Sequence, residues 1–153
     1  MIFRELAFEL GLTYSDILDI KCDLLKYSEV QPQALNKINV LAHKAIKKFL
    51  DFIDSYRDKK TNDFSKSLDP DELQVIACAN FNLGRLYYKL ITPDKKLQLE
   101  NTTSSYNHYK AFVESSEKHQ NIAEKMRGEL GVTKQMIELL PLKMKKLNEE
   151  INA

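Results

Sequence analysis

The sequence contains little glycine, proline or cysteine, and it contains no tryptophan. Its 153 residues include four glycines, four prolines and two cysteines. Folds rich in β-sheet need more turn residues than this, so the composition favours a helical class. Cys22 and Cys78 have no motif spacing and both lie within helical patterns, so we expect buried free thiols rather than a disulfide framework or a metal site.

Neither sign of charge dominates, and no long apolar run is present. The 23 basic and 22 acidic residues give a formal net charge of +1, which argues against a nucleic-acid partner. Residues 1–31 are acidic overall and residues 32–60 are basic overall, which predicts complementary exposed faces on neighbouring helices. No stretch approaches the roughly 18 apolar residues of a membrane span, and charged residues interrupt the first apolar stretch. We therefore expect a cytoplasmic protein without membrane insertion.

Apolar residues recur at steps of three and four along most of the chain, which predicts amphipathic helices. We expect five helices, at about residues 2–28, 32–58, 70–91, 93–118 and 121–151. No capping residue precedes the first helix, so either the chain begins there natively with a frayed end or it is cut from a longer protein. In the fifth helix the apolar steps stay in phase across Pro141, which predicts one bent helix rather than two separate ones.

The apolar stripes predict which side of each helix faces a neighbour. The stripe of the first helix consists of Phe3, Leu6, Leu10, Thr13, Ile17, Ile20, Leu24 and Tyr27. The stripe of the second consists of Leu35, Ile38, Ala42, Ala45, Phe49, Phe52 and Tyr56. The stripe of the fifth consists of Ile122, Met126, Leu130, Thr133, Ile137, Leu140, Met144, Leu147 and Ile151. We expect these seams to turn toward each other.

Helix starts and one close contact can also be predicted. Asp69 can cap the third helix, with Pro70 in its first turn and Glu72 completing a capping box. Thr92 is expected to cap the fourth helix. Gly84 lies in the middle of the third helix, where its cost of about 1 kcal/mol predicts a close approach by another helix.

The first two helices and the next two share one pattern. A small residue follows leucine in the first helix of each pair, and a small residue precedes two aromatics in the second, as in Ser105, Tyr109 and Phe112. This pattern predicts antiparallel helix pairs in a tetratricopeptide-like α-solenoid, closed by the fifth helix and forming one domain over residues 1–153. A plain helical bundle is the alternative.

No group of residues in the sequence suggests catalysis. His43, His108 and His119 lack metal-ligand spacing to one another or to a cysteine. No Gly-rich phosphate loop or nucleophile elbow occurs, and helix capping explains the acidic cluster at residues 69–72. We therefore expect a non-enzymatic protein with no catalytic, cofactor-binding or metal-binding residue.

Several stretches of the sequence resemble a known family. They are RLYYKLITPDKKLQLENTTSSYNHYKAFV at 85–113, EKH at 117–119, MIELLPLKMKKL at 136–147 and, more weakly, NKINVLAHKAIKKFLDFIDSYRD upstream. These stretches are similar to the C-terminal region of the kinesin-binding protein family. The resemblance extends over essentially the whole chain, which corresponds to the last quarter or so of a full-length member. One departure is local, because the family tends to place proline after the aspartate of a turn, whereas Pro93 precedes Asp94 here.

The resemblance implies a fold and a function. Family members are tetratricopeptide-like solenoids that bind the motor domains of a subset of kinesins and keep those motors off microtubules. They influence axonal transport, neuronal development and mitochondrial distribution. The resemblance thus implies a cytoplasmic, cytoskeleton-associated binding module, which we expect to be monomeric. No short binding motif carries over, so no partner-contacting residue is assigned.

A second function belongs to a different class of protein. Tetratricopeptide co-chaperones bind the C-terminal carboxylate of a peptide with lysine, arginine and asparagine side chains. Asn80, Asn82 and Arg85 could be mistaken for such a clamp. The alternative is therefore a generic peptide-binding co-chaperone scaffold.

Overall fold

The described residues of the chain are almost entirely helical. The computed structural model describes residues 2–25, 32–61, 63–64 and 68–153. The helices are α1 (Ile2–Leu25), α2 (Pro32–Asp54), α3 (Pro70–Lys89), α4 (Lys95–Lys118), α5 (Gln120–Lys125) and α6 (Arg127–Ile151). Within these ranges there is no strand, and the one isolated bridge pairs Arg57 with Phe64. The predicted all-α class with antiparallel packing is confirmed.

The predicted fifth helix is two helices in the structure. Met126 ends α5 and begins α6, with φ of −115° and ψ of 37°. The Met126 N–H still donates to the Ile122 carbonyl over 2.9 Å, and the Leu130 N–H donates to the Met126 carbonyl over 2.9 Å. The interruption is therefore confined to the backbone angles of one residue, which is why the apolar stripe continues in phase across it. Pro141 lies inside α6, which continues through it to Ile151.

Other helix ends differ from the predicted ones by a few residues. The predicted end of the first helix, near residue 28, lies outside the described residues. The second helix ends at Asp54 instead of residue 58. The predicted cap at Thr92 was wrong, because the Asp94 carboxylate accepts from the Lys96 and Leu97 N–H groups at 3.0 and 3.4 Å. Thr92 instead accepts a bond from the Asp94 N–H, so its hydroxyl shapes the turn before the helix.

The start of α3 is the predicted capping box. The Glu72 N–H donates to the Asp69 carboxylate over 2.8 Å, and the Asp69 N–H donates back to the Glu72 carboxylate over 3.4 Å. Pro70 occupies the first helical position, where a missing N–H costs nothing. The acidic residues at 69–72 therefore have a structural role as helix caps.

The chain divides into two compact units. Unit 1 comprises Met1–Ser67 with Lys89–Ile91, and unit 2 comprises Leu68–Tyr88 with Thr92–Ala153. That the whole chain forms one domain stays a prediction. Each unit has its own set of buried apolar side chains, described in turn below.

In unit 1, α1 packs against α2. The predicted face of α2 is confirmed, since its buried side chains include Ile38, Ala42, Ala45, Phe49 and Phe52. A Cβ on Gly11 would lie 2.9 Å from Cζ of Phe49, so only glycine lets α1 approach the Phe49 ring this closely. The Phe8 ring packs edge-on against the Phe49 ring, and the two ring centroids are 5.8 Å apart.

The predicted inward face of α1 was wrong. Gly11, Ser15 and Leu18 are buried, on the side of the helix that also carries Phe8. Four members of the predicted stripe face solvent instead, with exposed fractions of 85% at Phe3, 52% at Leu6, 37% at Ile17 and 61% at Ile20. The side chains of Leu24 and Tyr27, also in the predicted stripe, lie outside the described residues. The helix has two apolar faces, and the one that includes Gly11 packs against α2 because Gly11 makes room for the Phe49 ring.

In unit 2, α3 to α6 share one apolar core. Its buried members are Ala77, Phe81, Tyr109, Phe112, Ile122, Met126 and Leu140. The predicted stripe of the last helix is confirmed, since Thr133, Leu140 and Leu147 are its buried residues. The core draws on every helix of the unit, so it joins the closing helices to α3 and α4.

The close approach predicted at Gly84 is also confirmed. A Cβ on Gly84 would lie 2.7 Å from Cδ1 of Tyr109. At the same residue, the buried Ser105 hydroxyl donates to the Gly84 carbonyl over 2.6 Å. Helices α3 and α4 are therefore held together where both carry small residues, as the shared sequence pattern predicts.

Candidate protein-binding surfaces

A groove opens between α1 and α2 in unit 1. It has a volume of about 210 Å³ and is lined by Phe3, Arg4, Leu6, Ala7, Leu10, Lys48, Asp51 and Ser55. Three residues of the predicted α1 stripe thus form its apolar side, and charged residues stand on the opposite side. A groove of this composition suits an amphipathic helix better than a small polar ligand.

Arg4 holds together the end of this groove that lies at the start of α1. Its guanidinium donates to the Ser55 hydroxyl over 3.0 Å and to the Ser55 carbonyl over 2.6 Å. The same group lies 4.0 Å from the centre of the Tyr56 ring. These contacts join the start of α1 to the end of α2, so the groove has a defined shape at this end.

A polar and aromatic cluster lies between α3 and α4 in unit 2. The His108 Nδ1 atom and the Asn80 amide oxygen are 2.9 Å apart. The Tyr87 ring stacks on the His108 ring, with centroids 5.6 Å apart and planes within 5°. His108 lies between Tyr106 and Tyr109 in the sequence, and in the structure it joins α3 and α4.

Asn80, Asn82 and Arg85, the three residues that resemble a carboxylate clamp, bond to groups within α3 and α4. Asn80 is buried and bound to His108, and Asn82 is buried with its amide nitrogen donating to the Cys78 carbonyl over 2.9 Å. Arg85 donates to the Asn82 amide oxygen over 3.4 Å. The three side chains are therefore used within the helix pair, and the buried amides offer no joint surface for a carboxylate.

The other histidines and Cys78 do not form a common site in the described part of the chain. His43 is exposed on α2, and His119 lies at the junction of α4 and α5. Burial raises the pKa of the Cys78 thiol, and the charge of Glu129 raises it further, against a smaller lowering by the Asn82 hydrogen bond. A raised pKa keeps Cys78 protonated at neutral pH, which disfavours nucleophilic chemistry. In the described part of the chain, no three His, Cys, Asp or Glu side chains lie together as metal ligands would.

A further apolar surface lies on the outer side of α6. Val132, Leu139 and Leu142 are exposed there, at steps of seven and three. Next to them the Lys143 ammonium lies 4.8 Å from the centre of the Tyr88 ring. Sequence analysis missed this surface because the inward stripe of the helix was regular enough to account for the pattern. The spacing of Val132, Leu139 and Leu142 was the signal in the sequence that could have predicted this second apolar surface.

The alkaline stability of unit 2 should depend on Tyr109. Burial raises the pKa of Tyr109 to about 12, from 10.0, with a smaller opposite effect from Arg85. Folding therefore favours the neutral phenol, so this contribution is complete below pH 10 and is lost as the pH rises toward 12. Between neutral pH and about pH 11, we expect the free energy of unfolding to fall less in the Tyr109→Phe variant than in the parent chain. Urea unfolding at each pH measures this fall. Equal losses in the two proteins would contradict this account.

None of the helices in the described ranges is long and apolar enough to cross a membrane.

Residues 1–147 match the family described as KIF-1 binding protein C terminal. Curated proteins are similar over the same region. The KIF-binding protein of Gallus gallus is 38% identical over 152 residues, that of Homo sapiens 34% over 152 residues, and that of Drosophila melanogaster 32% over 153 residues. Each comparison covers 99% of this chain and between 24% and 26% of the relative. The chain thus spans about a quarter of the length of these relatives, and no solved structure matches it significantly.

Proposed function

Since this chain belongs to the KIF-1 binding protein C-terminal family, we propose that it is the C-terminal part of a kinesin-binding protein and does no chemistry. The match over residues 1–147 carries the proposal. It is supported by a cysteine held protonated and by histidines that either stand apart or serve in helix packing. It is also supported by the names of the relatives, each of which is described as a KIF-binding protein.

The proposed architecture is a tetratricopeptide-like solenoid of which this chain forms the last part. The small residues Gly84 and Ser105 at the contact of α3 and α4, followed by the aromatic Tyr109, support this proposal. In such solenoids each helix pair buries its apolar side against the next pair. We propose that the protein acts as a monomer in the cytoplasm, in association with the cytoskeleton.

The proposed mechanism is steric. Paired helices present a rigid surface that can hold a helical partner. A kinesin motor domain bound in this way would have its microtubule-facing surface covered or displaced, so it could not engage its track. Regulation of axonal and organelle transport would follow from binding energy alone.

Co-purification with a panel of kinesin motor domains tests this proposal. Two proteins are compared, the 153-residue chain and a chimera in which it replaces the matching quarter of the chicken relative. We expect at least one motor domain to bind the chimera, and to bind the isolated chain at least about 10-fold more weakly, because the other three quarters supply part of the surface. The bound motor should lose its microtubule-stimulated ATPase activity.

The chicken relative itself is the positive control for each motor domain. A motor domain bound by the relative and by neither of the two proteins would refute the proposed function. Stoichiometric inhibition by the isolated chain would instead refute the expected need for the rest of the protein.

A further inference from the structure

The exposed seam of α1, defined as Phe3, Leu6, Leu10, Thr13, Ile17 and Ile20, follows a heptad pattern without a described neighbour. Four of the six are large apolar side chains with exposed fractions between 37% and 85%. Steps of three and four place all six along one side of the helix. The opposite side is already packed against α2 through Gly11 and Leu18. The seam is thus a second, complete contact face.

A seam of this kind normally packs against another helix. Scattered exposed apolar side chains are ordinary in soluble proteins, whereas a contiguous apolar strip marks an interaction site. The groove beside α2 extends the strip, because Phe3, Leu6 and Leu10 belong to both. Apolar residues at heptad spacing fit the apolar side of a second helix lying along α1.

The charges beside the seam define its occupant further. The exposed charged residues in the described part of α1 are three acidic ones, Glu5, Glu9 and Asp16, and one basic one, Lys21. Glu9 and Asp16 are seven residues apart and therefore lie along the same edge of the seam. In an antiparallel pair of two copies these edges would meet and repel each other. The occupant should instead carry lysine or arginine beside its apolar residues, which disfavours an antiparallel second copy of this chain.

We propose that the α1 seam binds an amphipathic helix with basic flanking residues, supplied by the segment that directly precedes this region in the longer protein. About three quarters of each relative lies outside the matched region, which the family description places at the C-terminus. A segment joined to the start of α1 has a far higher effective concentration at the seam than a separate partner. This inference rests on the proposal that the chain is part of a longer protein, and it does not depend on motor binding.

Hydrogen exchange of the α1 amides tests the seam in the isolated chain and in the chicken chimera. We expect these amides to exchange at least about 10-fold more slowly in the chimera, because a helix covering the seam suppresses local opening. Leu6→Glu and Ile20→Glu should each remove most of this slowing. In the isolated chain, both substitutions should leave the α2 amides unchanged, because the two side chains are exposed there.

Leu139→Glu is the matched control, since Leu139 is 57% exposed on α6. In the chimera, this variant should show the same slow hydrogen exchange of the α1 amides as the unsubstituted chimera. Slow exchange of amides in the chicken region shows that each chimera is folded. Unchanged α1 exchange in a folded chimera would overturn the inference, as would slowing that survives both substitutions. A dimer of the isolated chain that Leu6→Glu dissociates would assign the seam to a second copy. Because no motor is present in this experiment, its failure is distinct from failure of the proposed function.

Discussion

Phe112→Ala is expected to lower the free energy of unfolding of unit 2 by about 3–5 kcal/mol. The Phe112 side chain is fully buried, and its ring lies 5.5 Å from the Phe81 ring centroid. Ile122 and Leu140 belong to the same core, so removal of the ring leaves a cavity bordered by three other helices. Urea unfolding followed by circular dichroism measures the loss, and hydrogen exchange in α4 and α6 assigns it to this unit.

Leu139→Ala is the control for this prediction. Leu139 lies in the same unit and has a similar volume of apolar side chain, but it is mostly exposed. Truncation there should change the free energy of unfolding by no more than about 0.5 kcal/mol. If Phe112→Ala were no more costly than Leu139→Ala, the core of unit 2 would not be arranged as described.

Apolar periodicity predicted the packed side of a helix where one apolar stripe runs the length of that helix. In α6 the stripe that includes Thr133, Leu140 and Leu147 is the buried one, and the same holds for Ile38 and Phe49 in α2. The exposed apolar residues on the other side of α6 are fewer and do not form a stripe of this length, so the long stripe identified the buried side. Gly84 could be placed for a related reason, since glycine inside a helix is costly unless it permits a close contact.

Periodicity failed in α1 because that helix has two apolar faces. The Phe3 to Ile20 seam is the more regular of the two, yet the side with Gly11 and Leu18 packs against α2. Regularity does not identify the neighbour that a face contacts. Gly11 was the available signal, because its missing side chain admits the Phe49 ring in the same way that Gly84 admits Tyr109.

The candidate sites depended on geometry that sequence spacing does not provide. Asn80, Asn82 and Arg85 lie close together along the chain, but residues two apart on a helix point in different directions. Asn80 therefore meets His108 on α4, while Asn82 bonds within its own helix. The contact between Asn80 and His108 spans 28 residues, and no local pattern in either helix indicates it.

The second large effect is expected at Gly84, where Gly84→Ala should lower the free energy of unfolding by about 2–3 kcal/mol. The added Cβ would lie 2.7–2.8 Å from three atoms of the Tyr109 ring, including Cγ, which can move away only by rotation about the Cα–Cβ bond or by a shift of α4. Tyr109 is buried against Phe81, and the Ser105 hydroxyl holds α4 to the Gly84 carbonyl, so neither the ring nor the helix can shift easily. This strain exceeds the gain of about 1 kcal/mol that alanine brings to a helix interior.

Gly131→Ala separates the packing effect from helix propensity. No atom lies within 4 Å of a Cβ at Gly131, so alanine there should stabilise the protein by about 0.5–1 kcal/mol. Opposite signs for the same substitution in two helices of one unit would identify the Tyr109 ring as the cause. The double variant Gly84→Ala with Tyr109→Ala should therefore lose less stability than the two single losses added together. Additive losses, or a Gly84→Ala variant as stable as the parent chain, would show that α3 and α4 are not in contact at this point.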